Sequence, residues 1–359
     1  MPWNHRQSDS PAFIWDAGKL LRAEWLFLSE AGMTAGSARR LSSERQGAFA
    51  VRVMAENARA NFEIDGECLD VPRLEHCIRR SLGVALDDDG CGPPEALAAE
   101  LAVSVSREHR TPLGMQAVLK WQAHFAKRGE GSLFPVSPAG NGGLNHEQRM
   151  ELKRFLRWFN SSLPTDEASP LLRSGLAHLW FESIHPFPEG TGAMGRAIAE
   201  RALLQGLPGH NFTPLSLVLA RYRNEYHRTL DDACRDHDAT AWLMWFAAAA
   251  IEAGRRQRAL LDFVAHRARI FDSLMGRING RQTAIMDFLF ERGPENLAAG
   301  FGAPEFSRLF RVPLAAIKRD LAGLLSLGAL VRRVRGRLVR YHLPLSDTPV
   351  LRVLPRDIA

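Results

Sequence analysis

Apolar residues recur at helical spacing through most of the chain. Met115, Val118, Leu119, Trp121 and Phe125 predict a helix over 114–127. The same periodicity predicts helices over Ser42–Ala60, Val71–Leu82, His146–Phe159, Leu171–Ser183, Ala193–Leu204 and Ala220–Cys234. No proline interrupts Ala239–Arg281, so the pattern from Ala239 to about Met275 reads as one long helix or a bent pair. Turn residues crowd Asp87–Pro94. Gly129–Gly143 is rich in Gly, Pro, Ser and Asn and reads as an exposed loop with room for a short hairpin. No repeat at a fixed period is visible, which disfavours a solenoid.

The pattern changes after Gly280. Short helices are expected at Gln282–Glu291, Pro304–Phe310 and Pro313–Leu327, the last with proline at its start and Gly328 behind it. Two β-rich runs follow, Ala329–Val334 and Arg337–Leu343, around Arg335-Gly336. Three helices and a hairpin is the order of a winged helix-turn-helix, with a recognition helix near 313–327 and a wing at 332–340.

Composition narrows the class. At 359 residues, two or three domains are expected, and 46% hydrophobic with 24% charged residues excludes a disordered or fibrous chain. The formal net charge is +6 and unevenly placed. From Arg255 to Arg340 there are 17 Lys/Arg against 7 Asp/Glu, so the first 254 residues carry a net negative charge. Between Arg308 and Arg340, Asp320 alone opposes nine cations. Lys318, Arg319, Arg332, Arg333, Arg335 and Arg337 are therefore candidate DNA-phosphate contacts. The alternatives are a solubilising surface or a dimerisation and docking module, with a homodimer as the assembly.

The four cysteines, Cys68, Cys77, Cys91 and Cys234, form no Cys-x-x-Cys pair and no disulfide-scaffold pattern. A reducing cytoplasm fits them. Met1–Asp16 has no apolar core of signal-peptide length, and the longest apolar run, Ala241–Ile251, is too short to span a bilayer, so no membrane partner is expected. Trp242, Trp245 and Phe246 read as core. His76 and Cys77 read as a solvated helix face, without further ligands nearby.

The segment richest in chemistry is Ile184-His185-Pro186-Phe187-Pro188-Glu189-Gly190-Thr191-Gly192-Ala193-Met194-Gly195-Arg196. It joins two predicted helices. Glycines at a helix start let phosphate approach backbone N–H groups where the helix dipole favours an anion. Arg196, one turn in, can hold a terminal phosphate in a bidentate way. Glu189 can hold Mg²⁺ together with phosphate oxygens, or be only a helix-start charge. His185 is a candidate general base for an incoming hydroxyl.

On these residues the chain resembles the Fic (Fido) family, whose motif is H-P-F-x-[D/E]-G-N-G-R-x-x-R. The resemblance implies AMP transfer from ATP to a Ser, Thr or Tyr hydroxyl of a target protein, which can be the chain itself. It implies His185 as base, Phe187 as buried loop anchor and Glu189 as Mg²⁺ ligand. Gly190, Thr191 and Gly192 would frame the phosphates, and Arg196 would bind the terminal one. Asn61-Phe62-Glu63-Ile64-Asp65-Gly66 resembles the end of the family's inhibitory helix, [S/T]-x-x-x-E-[G/N], whose acid pairs with the last motif arginine. Trp15-Asp16, Ile64–Asp70 and Ile78–Gly83 resemble the subgroup with an N-terminal extension.

Three departures stand out against that pattern. Thr191 replaces the motif Asn, and Ala193 replaces the first motif Arg. Asp65 and Asn61 replace the inhibitory Glu and the Ser/Thr. The loop Gly129–Gly143, where the family docks its target, is short and glycine-rich. A charge-assisted phosphate contact contributes roughly 1.5–3 kcal/mol, so two altered contacts weaken nucleotide binding substantially.

The expectation is a mainly α protein. It comprises an N-terminal helical extension (1–85) with an inhibitory-type helix, a Fic core (86–275), a winged helix (280–345) and a tail (346–359). Its function is expected to be an ATP- and Mg²⁺-dependent protein adenylyltransferase with weakened contacts. The alternative is a catalytically impaired relative acting through DNA binding or docking.

Overall fold

The computed structural model describes residues 13–84, 90–126, 144–162, 169–207, 213–292, 300–336, 338–344, 353 and 355–358. It is mainly α, with a single small hairpin among the described residues. The chain divides into two compact units. One holds residues 1–36, 42–255 and 352–359; the other holds 37–41 and 256–351.

The first unit is built on α7 (Pro170–Ile184) and α8 (Thr191–Gln205), joined by residues 185–190. Both are buried on nearly every face, as expected of helices at the centre of a larger helical body. Gly175 of α7 lies against Leu243 and Phe246 of α11 (Thr240–Leu274), where a Cβ would come within 2.7 Å of Leu243 Cδ2. Its carbonyl accepts from Trp242 Nε1 at 2.9 Å. Trp242, Trp245 and Phe246 are core, as their spacing indicates. Around this pair lie α1 (Ala17–Ala38), α2 (Ser43–Ile64), α3 (Val71–Ser81), α4 (Pro93–Glu108), α5 (Met115–Ala126), α6 (His146–Ser161), α9 (Leu215–Arg221) and α10 (Arg223–Ala233).

Several boundaries differ from the pattern. α2 runs four residues past Ala60 and ends on Asp65, with Gly66 at φ +90° closing the turn behind it. The run Ala220–Cys234 is not one helix: Tyr222, at φ −114° and ψ 34°, separates α9 from α10. Asp87–Pro94 hides the start of α4, whose prolines occupy its first turn, where a missing N–H costs nothing. α11 is one continuous helix.

The cysteines are corrected more sharply. Cys77 is buried and bonded to Cys91, 14 residues on, which ties α3 to the segment entering α4. Cys77 therefore does not sit on a solvated face. Cys68 and Cys234 are thiols. No helix among the described residues is long and apolar enough to cross a membrane.

The second unit contains α12 (Gly280–Glu291), α13 (Ala303–Phe310), α14 (Leu314–Ser326) and the antiparallel strands β1 (Val331–Arg335) and β2 (Leu338–His342). Phe301 adds a bridge to Tyr341. Ile285, Leu289, Phe306, Ile317, Leu321 and Leu324 form its own core. The order is that of a winged helix.

Candidate active site

The loop after α7 begins with an unusual residue. His185 caps the helix in the left-handed region, φ 42° and ψ 61°, and its N–H reaches the carbonyls of Phe181 and Glu182. That turn sets the imidazole beside the helix it ends. Its Nδ1 lies 3.6 Å from Glu182 Oε1. The Glu182 contact outweighs partial burial and holds the His185 imidazole above its ordinary range.

Phe187 anchors the loop at 1% exposure, and its ring does not line the cleft. Thr191 completes the anchor. Its hydroxyl donates to the Phe187 carbonyl at 2.8 Å and accepts from the Phe187 N–H at 3.2 Å. The hydroxyl is thereby committed to the backbone of its own loop, while Thr191 still lines the cleft. Phe187 likewise acts as an anchor, with no surface offered to a nucleotide.

Gly190 stands at φ +77°, and the Phe125 ring occupies the place of its missing Cβ, at 2.5 Å. A side chain there would meet both a strained backbone and a ring. No side chain caps α8 at Gly190, so the N–H groups of its first turn remain for an anion. Glu189 is exposed beside them.

Arg196 is 1% exposed, and a charge so deep requires partners. α2 supplies them. Its Nε donates to Asn61 Oδ1 at 2.5 Å and its Nη2 to the Asn61 carbonyl at 2.9 Å and to Asp65 Oδ2 at 2.7 Å. Burial opposes the charge, but Asp65 and Tyr226 outweigh it and hold the guanidinium above its usual range. Asn61 Nδ2 also donates to the carbonyl of Ala193, whose methyl is fully buried. One turn further back, Asn57 Nδ2 holds Glu200 at 2.8 and 3.0 Å. Helix α2 is thus fastened along α8 at two successive turns.

The cleft measures about 710 Å³. Asp65, Glu182, His185, Glu189, Gly190, Thr191, Gly192 and Arg196 line it, together with Tyr226, His227, Arg228, Leu230 and Asp231 of α10 and Cys234 at its end. The structure thus brings the predicted site residues of the first unit to one place, apart from Phe187 beneath them and Gly66 behind Asp65. No cluster of three or more His, Cys, Asp or Glu able to hold a metal occurs among the described residues. Glu189 would therefore need phosphate oxygens to complete a Mg²⁺ shell.

Sequence reading overlooked Glu182, Asn57, Glu200 and Tyr226. Three of them stand one helical turn from a named residue: Glu182 from His185, Asn57 from Asn61, Glu200 from Arg196. That spacing is the signal that would have found them.

In the second unit Lys318 and Arg319 are exposed on α14, and Arg332, Arg333 and Arg335 are exposed on β1. Arg340 is paired with Glu305, and Arg281 with Asp320. Arg337 and the loop Gly129–Gly143 lie outside the described residues.

Comparison with known families decides the nature of the loop. Residues 112–203 match the model of the Fic/DOC family. This segment is a Fic domain. Residues 3–84 match a second model, a domain of unknown function named DUF4172. A crystal structure of a Fic family protein from Desulfovibrio desulfuricans G20 is similar at 16% identity, covering 91% of this chain and 97% of that one, with a TM-score of 0.46. The Fic match ends at residue 203, within α8, so it takes in the whole loop from His185 to Arg196. The second match takes in α2, so Asn57, Asn61 and Asp65 reach the Fic domain from the neighbouring one.

Proposed function

We propose that the chain is a protein adenylyltransferase held in a restrained state. The observation that carries this reading is the convergence of His185, the uncapped start of α8 and Arg196 on one cleft. His185 accepts the proton of a target hydroxyl, whose oxygen attacks the α-phosphorus of ATP, and pyrophosphate leaves. The first-turn N–H groups of α8 bind the phosphates, and Gly190 and Gly192 leave room for their approach. Mg²⁺, held by Glu189 and phosphate oxygens, would offset charge on the leaving group. The cleft favours such a cation, since Asp65, Glu67, Glu182, Glu189 and Asp231 outnumber Arg196 and Arg228. Arg196 reaches a phosphate only when Asp65 and Asn61 release it, so α2 restrains the reaction.

In this reading the protein works in the cytoplasm with ATP–Mg²⁺. Labelled ATP with Mg²⁺ tests it: label on this chain or on an added target, lost in His185→Ala and increased in Asp65→Ala. Label at or below the His185→Ala level in both other proteins refutes it.

A second reading is favoured by Thr191 and Ala193. The threonine hydroxyl is committed to its own loop, and the fully buried alanine offers no cation. In this case the Fic domain no longer transfers AMP, and the second unit acts by docking on DNA or protein. Gel-shift titration against salt tests the DNA version, and no shift at low salt removes it.

A further inference from the structure

We infer that Glu182 is the positioning residue of this site: its carboxylate accepts the Nδ1 proton of His185 and leaves Nε2 as the nitrogen that takes the target's proton. The inference rests on the proposed role of His185 and names the group that gives that residue its direction.

The geometry comes from one helical turn. Glu182 precedes His185 by three positions, and the left-handed cap folds the imidazole back toward it. Glu182 Oε1 stands 3.6 Å from Nδ1, which a small rotation of either side chain brings to hydrogen-bond distance. The carboxylate is only 16% exposed against 49% for the imidazole. Its second oxygen is fully buried with no hydrogen-bond partner. A buried carboxylate with an unused oxygen has a strong need for a proton donor, and the nearby imidazole offers one.

The other groups facing the pair do not supply that donor. His178 on the same helix joins Tyr226 of α10 through Nε2, at 2.8 Å, and its buried Nδ1 faces Gly195 and bonds no partner among the described residues, Glu182 included. Burial holds His178 down to about 4, so it is neutral near pH 7. Burial pushes the Cys234 thiol up to about 12. Arg196 faces Asn61 and Asp65. His227 and Asp231 line the cleft on α10. For Glu182 itself, burial favours the neutral acid, but His185, His178 and Arg196 outweigh it and hold the carboxyl below its usual range. An ionised Glu182 then stabilises the imidazolium formed when Nε2 accepts the target's proton. An imidazole without this partner would distribute its neutral proton between both nitrogens, and part of the population would present an N–H to the target.

Nitrogen-15 NMR of the histidine side chains tests the inference, with His185 assigned from the His185→Gln variant. In the wild-type chain the neutral ring is expected to carry its proton on Nδ1. Glu182→Gln is expected to lower the His185 midpoint and to mix the tautomers. A neutral wild-type ring with its proton on Nε2 overturns the inference. An unchanged midpoint in a folded Glu182→Gln chain also overturns it. The wild-type tautomer decides alone if that variant fails to fold. Neither readout needs AMP transfer. A chain with the expected tautomer and shift but no label transfer upholds the pairing and refutes the transferase reading alone.

Discussion

Arg196 was legible in the sequence as a residue with two fates, phosphate ligand or partner of Asp65, and burial selects between them in the structure described here. At 1% exposure the guanidinium has no water to replace a lost partner. Asn61 then acquires a meaning its identity alone did not give: its amide bonds both Arg196 and the Ala193 carbonyl. Glu200, one turn on, escaped notice because a glutamate in a helix is usually a surface residue. It is 4% exposed, and burial pushes its carboxyl up to about 7 despite bonds from Asn57 and Ser216. The folded chain therefore binds this proton more tightly than the unfolded chain, where glutamate titrates near 4.5. Its contribution to stability is complete below about pH 4.5, falls as the pH rises to about 7 and is level beyond. Over that window it amounts to at most about 3 kcal/mol. Urea melts of wild type and Glu200→Gln at pH 5 and pH 8 check this. The difference is expected to move against the wild type by about 2 kcal/mol as the pH rises. A pH-independent difference would mean that Glu200 titrates alike in both states.

Among the elements, strongly periodic helices were legible and those with mixed signals were not. α7 and α8 stand within two residues of their predicted ends, because apolar residues and the His185–Gly190 loop mark them on both sides. α1 carries Gly18, Gly32 and Gly36, which weaken its helical signal, and packing of Leu20, Ala23 and Phe27 into the core overrides them. The Tyr222 break leaves no mark in the spacing, since Tyr222 is itself compatible with a helix; its hydroxyl bonds Glu252 at 3.2 Å. The Cys77–Cys91 bond depends on a Cα separation of 5.7 Å that only the tertiary fold creates. Closing a loop of this size stabilises by about 3 kcal/mol in the chain-entropy account. Air-oxidised protein is expected to titrate two thiols, those of Cys68 and Cys234. Dithiothreitol is expected to lower its unfolding free energy by about that amount, and Cys77→Ser to be insensitive to the reductant. Four titratable thiols in the oxidised protein would contradict the pairing.

The whole molecule carries its charge in two parts. The net charge of +6 belongs to residues beyond Arg255, whereas the body with the candidate site is slightly acidic. Attraction for polyanions therefore belongs to the second unit and does not extend to the cleft proposed for ATP. Of its cations, Arg281 and Arg340 are paired with Asp320 and Glu305, which composition could not reveal. If the exposed cations of α14 and β1 contact DNA phosphates, affinity should fall with salt at a log–log slope of about −4. Replacing Arg332 and Arg333 together by Ala should reduce that slope by about 2 and weaken binding to every sequence alike. Gel-shift assays at several salt concentrations read both.

In the proposed reading α2 restrains a transferase site whose base is His185. Transfer of labelled AMP from ATP–Mg²⁺, measured side by side for wild type, Asp65→Ala and Asp65→Ala/His185→Ala, tests this. Removing one charged partner of Arg196 should raise labelling about tenfold over the wild type. Adding His185→Ala should abolish it. Equal background label in all three proteins, each bearing a folded Fic domain, would contradict the claim.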